Sequence, residues 1–362
     1  MRSSLDCLIA ELKDLKTFVK SRDLITDALE NRNNPDDIQR QVVILKRFNH
    51  AAFAVALYVS FEKFVVDLVK AFTRLVSLRR VPYKELPEKL RNKHLKMSAQ
   101  LLRRDHAKDF HYGELDDKKI VENLFKCLSD AENYALNELA VVQHNANFHS
   151  NEVIEFFKNI GLNNIFELAY NSNKIKNWFK NVNKKFQEKD DDIKYIKKYL
   201  DDIVECRNSV AHHGDIPEEL PDIETMLESV DFIDNLSSSI YDLVAGFYLN
   251  ILLKSSFDHI DLRPSKDVHV AGGMNVVVDK PRQRLFVGQA MFIIDKSTNV
   301  AIYGRVQNLR VRDTDIQEVD ADANAPDGVE IKLDFNIPKP FPAKMRLIAL
   351  QEDLDELWSP LK

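Results

Sequence analysis

The stretch ECRNSVAHHGD, Glu205 to Asp215, holds the residues of this chain best suited to chemistry. It closes the amphipathic segment DDDIKYIKKYLDDIVECRNSVAHHG and places Arg207 and His212 five positions apart. Histidine moves a proton near neutral pH, and a guanidinium holds the charge that develops on phosphoryl oxygens, so the two together can break a phosphodiester. RNA brings its own nucleophile, the ribose 2′-hydroxyl, so the pair requires neither a metal nor a cofactor. On a continuous α-helix five positions rotate a side chain by about 500°, about 140° beyond a full turn, and the pair diverges unless the helix ends between them. Ser209 and Gly214 suit such an end. In a purely structural reading Arg207 pairs with Asp201, Asp202 or Glu205 and caps the helix, with His212 and His213 on the surface.

Other stretches compete for the same role. An Arg followed at similar spacing by a His recurs as Arg104 to His111 and as Arg263 to His269, but the first runs into a loop and the second contains Pro264. His144 and His149 have a spacing open to a metal, yet no Asp, Cys or third His lies close in sequence with ligand geometry, so they read as loop histidines. KIKNWFKNVNKKFQEK, residues 174–189, interleaves bases and aromatics; Trp178 and Phe179 could stack on nucleobases while Lys180 and Lys184 contact phosphates. The same pattern also reads as core aromatics beside a solvated lysine face. In RVQNLRVR, Arg310 and Arg312 fall on one face of a strand and offer a second RNA-facing surface.

These residues require a frame, and the patterning supplies one. Up to about Ser255 apolar residues recur at three and four, and glycine is almost absent, which predicts helices near 4–31, 37–76, 86–104, 115–141, 151–169, 173–187, 191–211 and 221–254. Ser129, Ser150 and Asp222 are expected to start helices as caps. From about His269 the period changes to two, with turns at DKPRQ, DKSTN and ANAPDG, which predicts a small antiparallel β-barrel or sandwich. The expected organisation is an α+β chain with a helical domain over 1–255, a linker over 256–267 and a β domain over 268–362.

With 362 residues, 44% apolar and 30% charged, the chain is globular rather than disordered. Its net charge of −6 gives no global attraction to nucleic acid, so RNA binding must be local. Three scattered cysteines suggest neither a disulfide framework nor a zinc site, and a reducing cytoplasm is expected. The start MRSSLDCLIAELKD is too charged for a secretory signal. AAFAVALYVSF, 51–61, is about half the roughly 20 residues of a membrane span, so a buried helix is expected and no membrane partner. No GxxxxGK[ST], GxSxG, HExxH or GxGxxG run occurs, which leaves NTPase, serine hydrolase, zincin and dinucleotide readings without support.

In this setting RNSVAHHGD resembles the HEPN superfamily of helical-bundle ribonucleases: Arg207, the polar Asn208 directly after it, and His212 after the small Ala211. The segments NHAAFAVALYVSFEKFVVDLVKAF, 49–72, and FHSNEVIEFFKNIGLNNIFELA, 148–169, are similar to the branch called RiboL-PSP-HEPN, over roughly residues 40–255. The resemblance implies an α-helical bundle in which Arg207 and His212 are catalytic, Asn208 orients or contacts phosphate, and Glu62 is an acidic partner from an early helix. Some HEPN proteins carry a Tyr two residues after the His that a nucleotidyltransferase modifies; that position here is Gly214.

The expected activity is metal-independent RNA cleavage without cofactors, in a toxin or antiphage abortive-infection role with an antitoxin or defence-system partner. His212 acts as base on the 2′-hydroxyl or acid on the 5′-oxygen, and Arg207 stabilises the phosphorane-like transition state. One motif per chain supplies only His212, with His213 beside it, so a homodimer is expected, joined through the apolar face Ile223, Met226, Leu227, Val230 and Ile233. The alternative is a non-catalytic dimeric adaptor or sensor that uses the β domain to bind a partner. A third reading, a metal hydrolase on His144 and His149, predicts activity that a chelator abolishes.

Overall fold

A computed structural model describes residues 1–30, 36–103, 116–144, 146–182, 188–213, 220–255, 259–262, 268–279, 281, 283–295, 301–320, 328–337, 341, 345–351 and 357. The chain divides into two compact units, Met1–Tyr241 and Asp242–Lys362. The first is helical, with α1 (Arg2–Glu30), α2 (Asp36–Leu78), α3 (Glu88–Leu101), α4 (Asp117–Leu128), α5 (Glu138–Val141), α6 (Ser150–Asn159), α7 (Ile165–Tyr170), α8 (Asn173–Asn181) and α9 (Lys189–Asn208). α10 (Ile223–Lys254) begins in the first unit and runs into the second.

At about 1.5 Å per residue the 43-residue α2 spans roughly 65 Å and forms the axis of the helical unit. Its buried side chains, Phe53, Leu57, Tyr58, Phe61, Phe64, Val65 and Leu68 among them, recur at three and four. α1 packs along α2, burying Leu5, Leu8, Leu12 and Val19 and pairing Lys63 with Glu11 at 2.8 Å. α9 begins with Asp190, Asp191 and Asp192 and ends with Arg207, the charge order that the helix dipole favours. Its inner face is Ile193, Ile196, Leu200, Ile203 and Val204.

The expected helix over 115–141 is two helices. Ser129 closes α4 instead of starting a helix, and Asp130 follows with φ +50°. The cause is a buried polar network: the Asn137 N–H donates to His94 Nε2 at 2.9 Å, and the Asn137 amide donates to Ser98 Oγ and the Ile120 carbonyl while accepting from Asn123. Those bonds take the backbone away from helical pairing. Gly161, at φ +99°, breaks the expected 151–169 helix into α6 and α7. Ser150 is the first residue of α6 and not its cap, a position held by His149, because its hydroxyl donates to Asp201; the Asp222 carboxylate does cap α10, accepting from the Thr225 N–H at 2.7 Å. The face expected to join two chains is largely occupied, since Met226, Val230 and Ile233 are buried within one chain.

α10 is long and apolar enough to cross a membrane by length and composition, but 83% of its most apolar window is buried inside the protein, as in a core helix. Trp178 and Phe179 are buried as well, packed with Tyr195, Tyr199 and Phe232. They form an aromatic core and cannot stack on nucleobases.

The second unit carries β1 (His259–Asp261), β2 (Val268–Val278), β3 (Leu285–Phe286), β4 (Ala290–Asp295), β5 (Ala301–Val311), β6 (Thr314–Ile316), β7 (Glu318–Val319), β8 (Val329–Ile337) and β9 (Met345–Leu350). Among the described residues they form a curled antiparallel sheet ordered β1-β9-β4-β5-β8-β2, with β6 beside β5 and a separate β3–β7 ribbon. The expected small antiparallel β-barrel or sandwich is thus present as a half-barrel, whose closure the described residues do not show. β1 lies in the stretch expected to be a linker and pairs with β9. Register shifts between Gly273 and Asn275 and between Val306 and Asn308 add curvature. A Cβ at Gly304 would lie 1.8 Å from Asp334 Oδ1, which accepts from the Arg305 N–H, so a larger residue there would have to displace that carboxylate.

Burial holds His94 in its neutral form, down to about 4 from an ordinary 6.5. A depressed histidine contributes stability that is complete above pH 6.5 and is lost as pH falls toward 4, a difference of about 3 kcal/mol. Chemical denaturation at stepped pH should therefore show His94→Gln, which keeps an acceptor for the Asn137 N–H, losing less stability across that window than the wild type.

Candidate active site

Three elements meet at one tyrosine. Tyr58 lies on the buried face of α2, and its hydroxyl accepts from the Phe148 N–H at 3.0 Å and donates to Glu62 Oε1, one turn along the helix, at 3.1 Å. Phe148 belongs to the connection between α5 and α6, so this hydroxyl pins the connection to α2. Above the ring sits the Arg207 guanidinium of α9, with Cζ 5.1 Å from the ring centroid. That is the geometry of a cation on an aromatic face. Burial pushes the Tyr58 hydroxyl well above its usual range, so it stays protonated and remains a donor to Glu62.

Arg207 also donates from Nη1 to Asn208 Oδ1 at 3.1 Å, and the same oxygen accepts from Asn147 Nδ2 at 2.7 Å. Asn208 thus braces the arginine against the α5–α6 connection. The structure brings Arg207, Asn208 and Glu62 together around Tyr58. After Asn208 the helix widens into a π-helical turn over Ser209–His213. Hydrogen bonds in such a turn run from i to i+5, so its winding returns positions five apart toward one side, where an α-helix separates them. The expected helix end is a widened turn, and it reduces the divergence between the Arg207 and His212 positions. The side chains of His212 and His213 lie outside the described residues.

The loop histidines are part of this neighbourhood. His144 Nε2 lies 3.7 Å from Glu62 Oε1, and its ring packs on Phe148 at 4.4 Å between centroids and on Phe156 at 5.9 Å. Burial lowers its pKa, partly offset by the Glu62 charge. His149 lies with Nδ1 3.6 Å from Asp201 and Nε2 3.4 Å from Glu205. Asp201 also accepts from the Ser150 N–H and hydroxyl. Sequence reasoning missed this docking, though its signal is present: Asp201, Glu205 and Asn208 follow i, i+4, i+7 spacing and form one polar face of α9.

The remaining candidates belong to other elements. Lys180 is exposed on α8, and Lys184 lies outside the described residues. Arg310 is ion-paired to Asp315 at 3.1 Å, which neutralises it. Arg312 sits at φ +46° in the turn after β5, so the two arginines do not share a strand face. Arg104, His111 and Arg263 are outside the described residues, and His269 lies in β2, 3.3 Å from Asp279. Among the described residues no three His, Cys, Asp or Glu side chains converge as metal ligands, so the His144/His149 metal reading has no geometric support. The three cysteines are free thiols.

Removing the Tyr58 hydroxyl strands a buried N–H, a loss of about 1–3 kcal/mol. Tyr58→Phe should lower the urea unfolding free energy by that amount while keeping an aromatic face beneath Arg207.

A family model described as RiboL-PSP-HEPN matches residues 11–246. No curated protein and no solved structure gives a significant match. The matched span starts earlier than the resemblance over 40–255, taking in most of α1, and contains Tyr58, Glu62, His144, Arg207, Asn208 and His212 but none of the β-sheet. With more than half of its 362 residues matched, the chain belongs to the RiboL-PSP-HEPN family.

Proposed function

We propose that this protein is a metal-independent endoribonuclease that cleaves RNA by attack of a ribose 2′-hydroxyl on the adjacent phosphate. The observation that carries the reading is the Arg207 turn. A guanidinium is braced by Asn208 and seated on Tyr58, and a π-helical turn winds the His212 position back toward it. Membership of an HEPN family supports a nuclease at family level. Arg207 would bind the scissile phosphate and stabilise the charge that grows on its oxygens. His212 would move a proton to or from the reacting oxygens.

A toxin or antiphage effector acting in the cytoplasm, with an antitoxin or defence-system partner, is the biological role proposed. A homodimer would pair two Arg207/His212 turns across a two-fold axis. Counting proton carriers does not by itself demand one, because His149 lies against the arginine helix and His144 against Glu62, which Tyr58 links to Arg207.

Cleavage should proceed in EDTA and leave a 2′,3′-cyclic phosphate and a 5′-hydroxyl. A substrate with a 2′-deoxy sugar at the cut site should resist, since it lacks the nucleophile. His212→Ala and Arg207→Ala should each reduce cleavage by about 100-fold or more. Arg207→Ala should cost only about 1 kcal/mol of stability, the worth of its contact with Tyr58. Equal cutting of the deoxy substrate would refute the mechanism.

A further inference from the structure

We propose that His144 is the second proton-transfer residue of this site, taking the proton of the RNA 2′-hydroxyl while His212 serves the leaving 5′-oxygen. The inference rests on the endoribonuclease reading and adds to it a residue that no motif marks. Its basis is one carboxylate oxygen. Glu62 Oε1 accepts from the Tyr58 hydroxyl at 3.1 Å and faces His144 Nε2 at 3.7 Å, while the Tyr58 ring carries Arg207. Tyr58 therefore carries the guanidinium on its ring and, through the carboxylate its hydroxyl bonds, is linked to the imidazole of His144.

The imidazole is fixed yet reachable. Phe148 and Phe156 hold its ring, and 29% of the side chain remains exposed. A second cation stands beside it: Lys93 of α3 donates from Nζ to the carbonyl of Gln143, the preceding residue, at 3.0 Å. Among the described residues, the charged groups facing His144 are thus Glu62 from α2 and Lys93 from α3. Burial and the Lys93 charge both favour the neutral imidazole, the form a base must have before it acts. His149 is less suited, because the carboxylates of Asp201 and Glu205 repel a phosphate.

The step balances within the site. With Nε2 directed at Glu62, Nδ1 takes the 2′-hydroxyl proton as the 2′-oxygen bonds to phosphorus. The P–O5′ bond then breaks, and its electron pair leaves on the 5′-oxygen, which receives a proton from His212. The products are a 2′,3′-cyclic phosphate and a 5′-hydroxyl. The imidazolium formed at His144 faces Glu62 until it returns its proton to water.

The test is single-turnover cleavage of a defined RNA in EDTA by the full-length protein, from pH 5.5 to 8.5. His144→Phe, which keeps the ring packing, and His144→Gln, which keeps polarity, should each cleave about 100-fold or more slowly than wild type. Both should lose the acidic limb of the profile, where the base must shed a proton. Glu62→Gln should be about tenfold slower with that limb displaced to lower pH, because the imidazolium has lost its counter-charge. His144 variants within about threefold of wild type, or slower ones with an unchanged acidic limb, would overturn the proposal while leaving the ribonuclease intact. Should the wild type fail to cleave RNA, the ribonuclease reading itself fails and this inference with it, whereas an Arg207→Ala variant as fast as wild type would refute the site on which both are placed.

Discussion

A single buried hydroxyl organises the helical unit's polar site. Tyr58 is surrounded by apolar core on α2, so its oxygen must be satisfied, and it is satisfied twice, by the Phe148 N–H and by Glu62. The first bond holds the α5–α6 connection and with it His144, Asn147 and His149. The second fixes the Glu62 rotamer. The ring, meanwhile, gives the Arg207 guanidinium an aromatic face to sit on. Loss of that oxygen would loosen three elements at once, which is why its small local energy has a wide structural reach.

The site is also shaped by what surrounds the arginine. A polar face of α9, Asp201, Glu205 and Asn208, is covered by Ser150, His149 and Asn147, so the connection is bonded along its length to one helix and by Phe148 to another. Such a doubly anchored loop is pre-organised, and pre-organised polar groups stabilise developing charge without reorganising first. The acidic character of this face is notable beside a proposed RNA site. In the proposed function, phosphate binding would depend on the local cations Arg207 and Lys93, in keeping with a chain whose net charge is negative.

In the β unit the sheet keeps β1 and β2 as edges among the described strands, and two register shifts add to its curl. An open curled sheet presents backbone groups at its edges that a closed barrel would pair. The sheet core, Val276, Ile293, Leu309, Ile331, Leu333 and Leu347 among others, is self-contained.

Periodicity was enough to divide the chain into a helical part and a strand part, because burial of one face imposes a repeat of 3.6 or of 2 on any sequence. It also located α2, α9 and most strands. The Arg207, Asn208 and His212 cluster was legible for a similar reason, since its members are neighbours along the chain. Sequence alone could not place the break between α4 and α5, because there the Asn137 N–H is drawn off by His94, a partner distant in the chain. Nor could it decide whether Trp178 and Phe179 face RNA or the core, since a basic, aromatic helix satisfies both patterns until its neighbours Tyr199 and Phe232 are known. The juxtaposition of His144 with Glu62 and Arg207 was decided by tertiary structure only. Those residues come from three separate segments, and what joins them is the need of one buried tyrosine hydroxyl for partners.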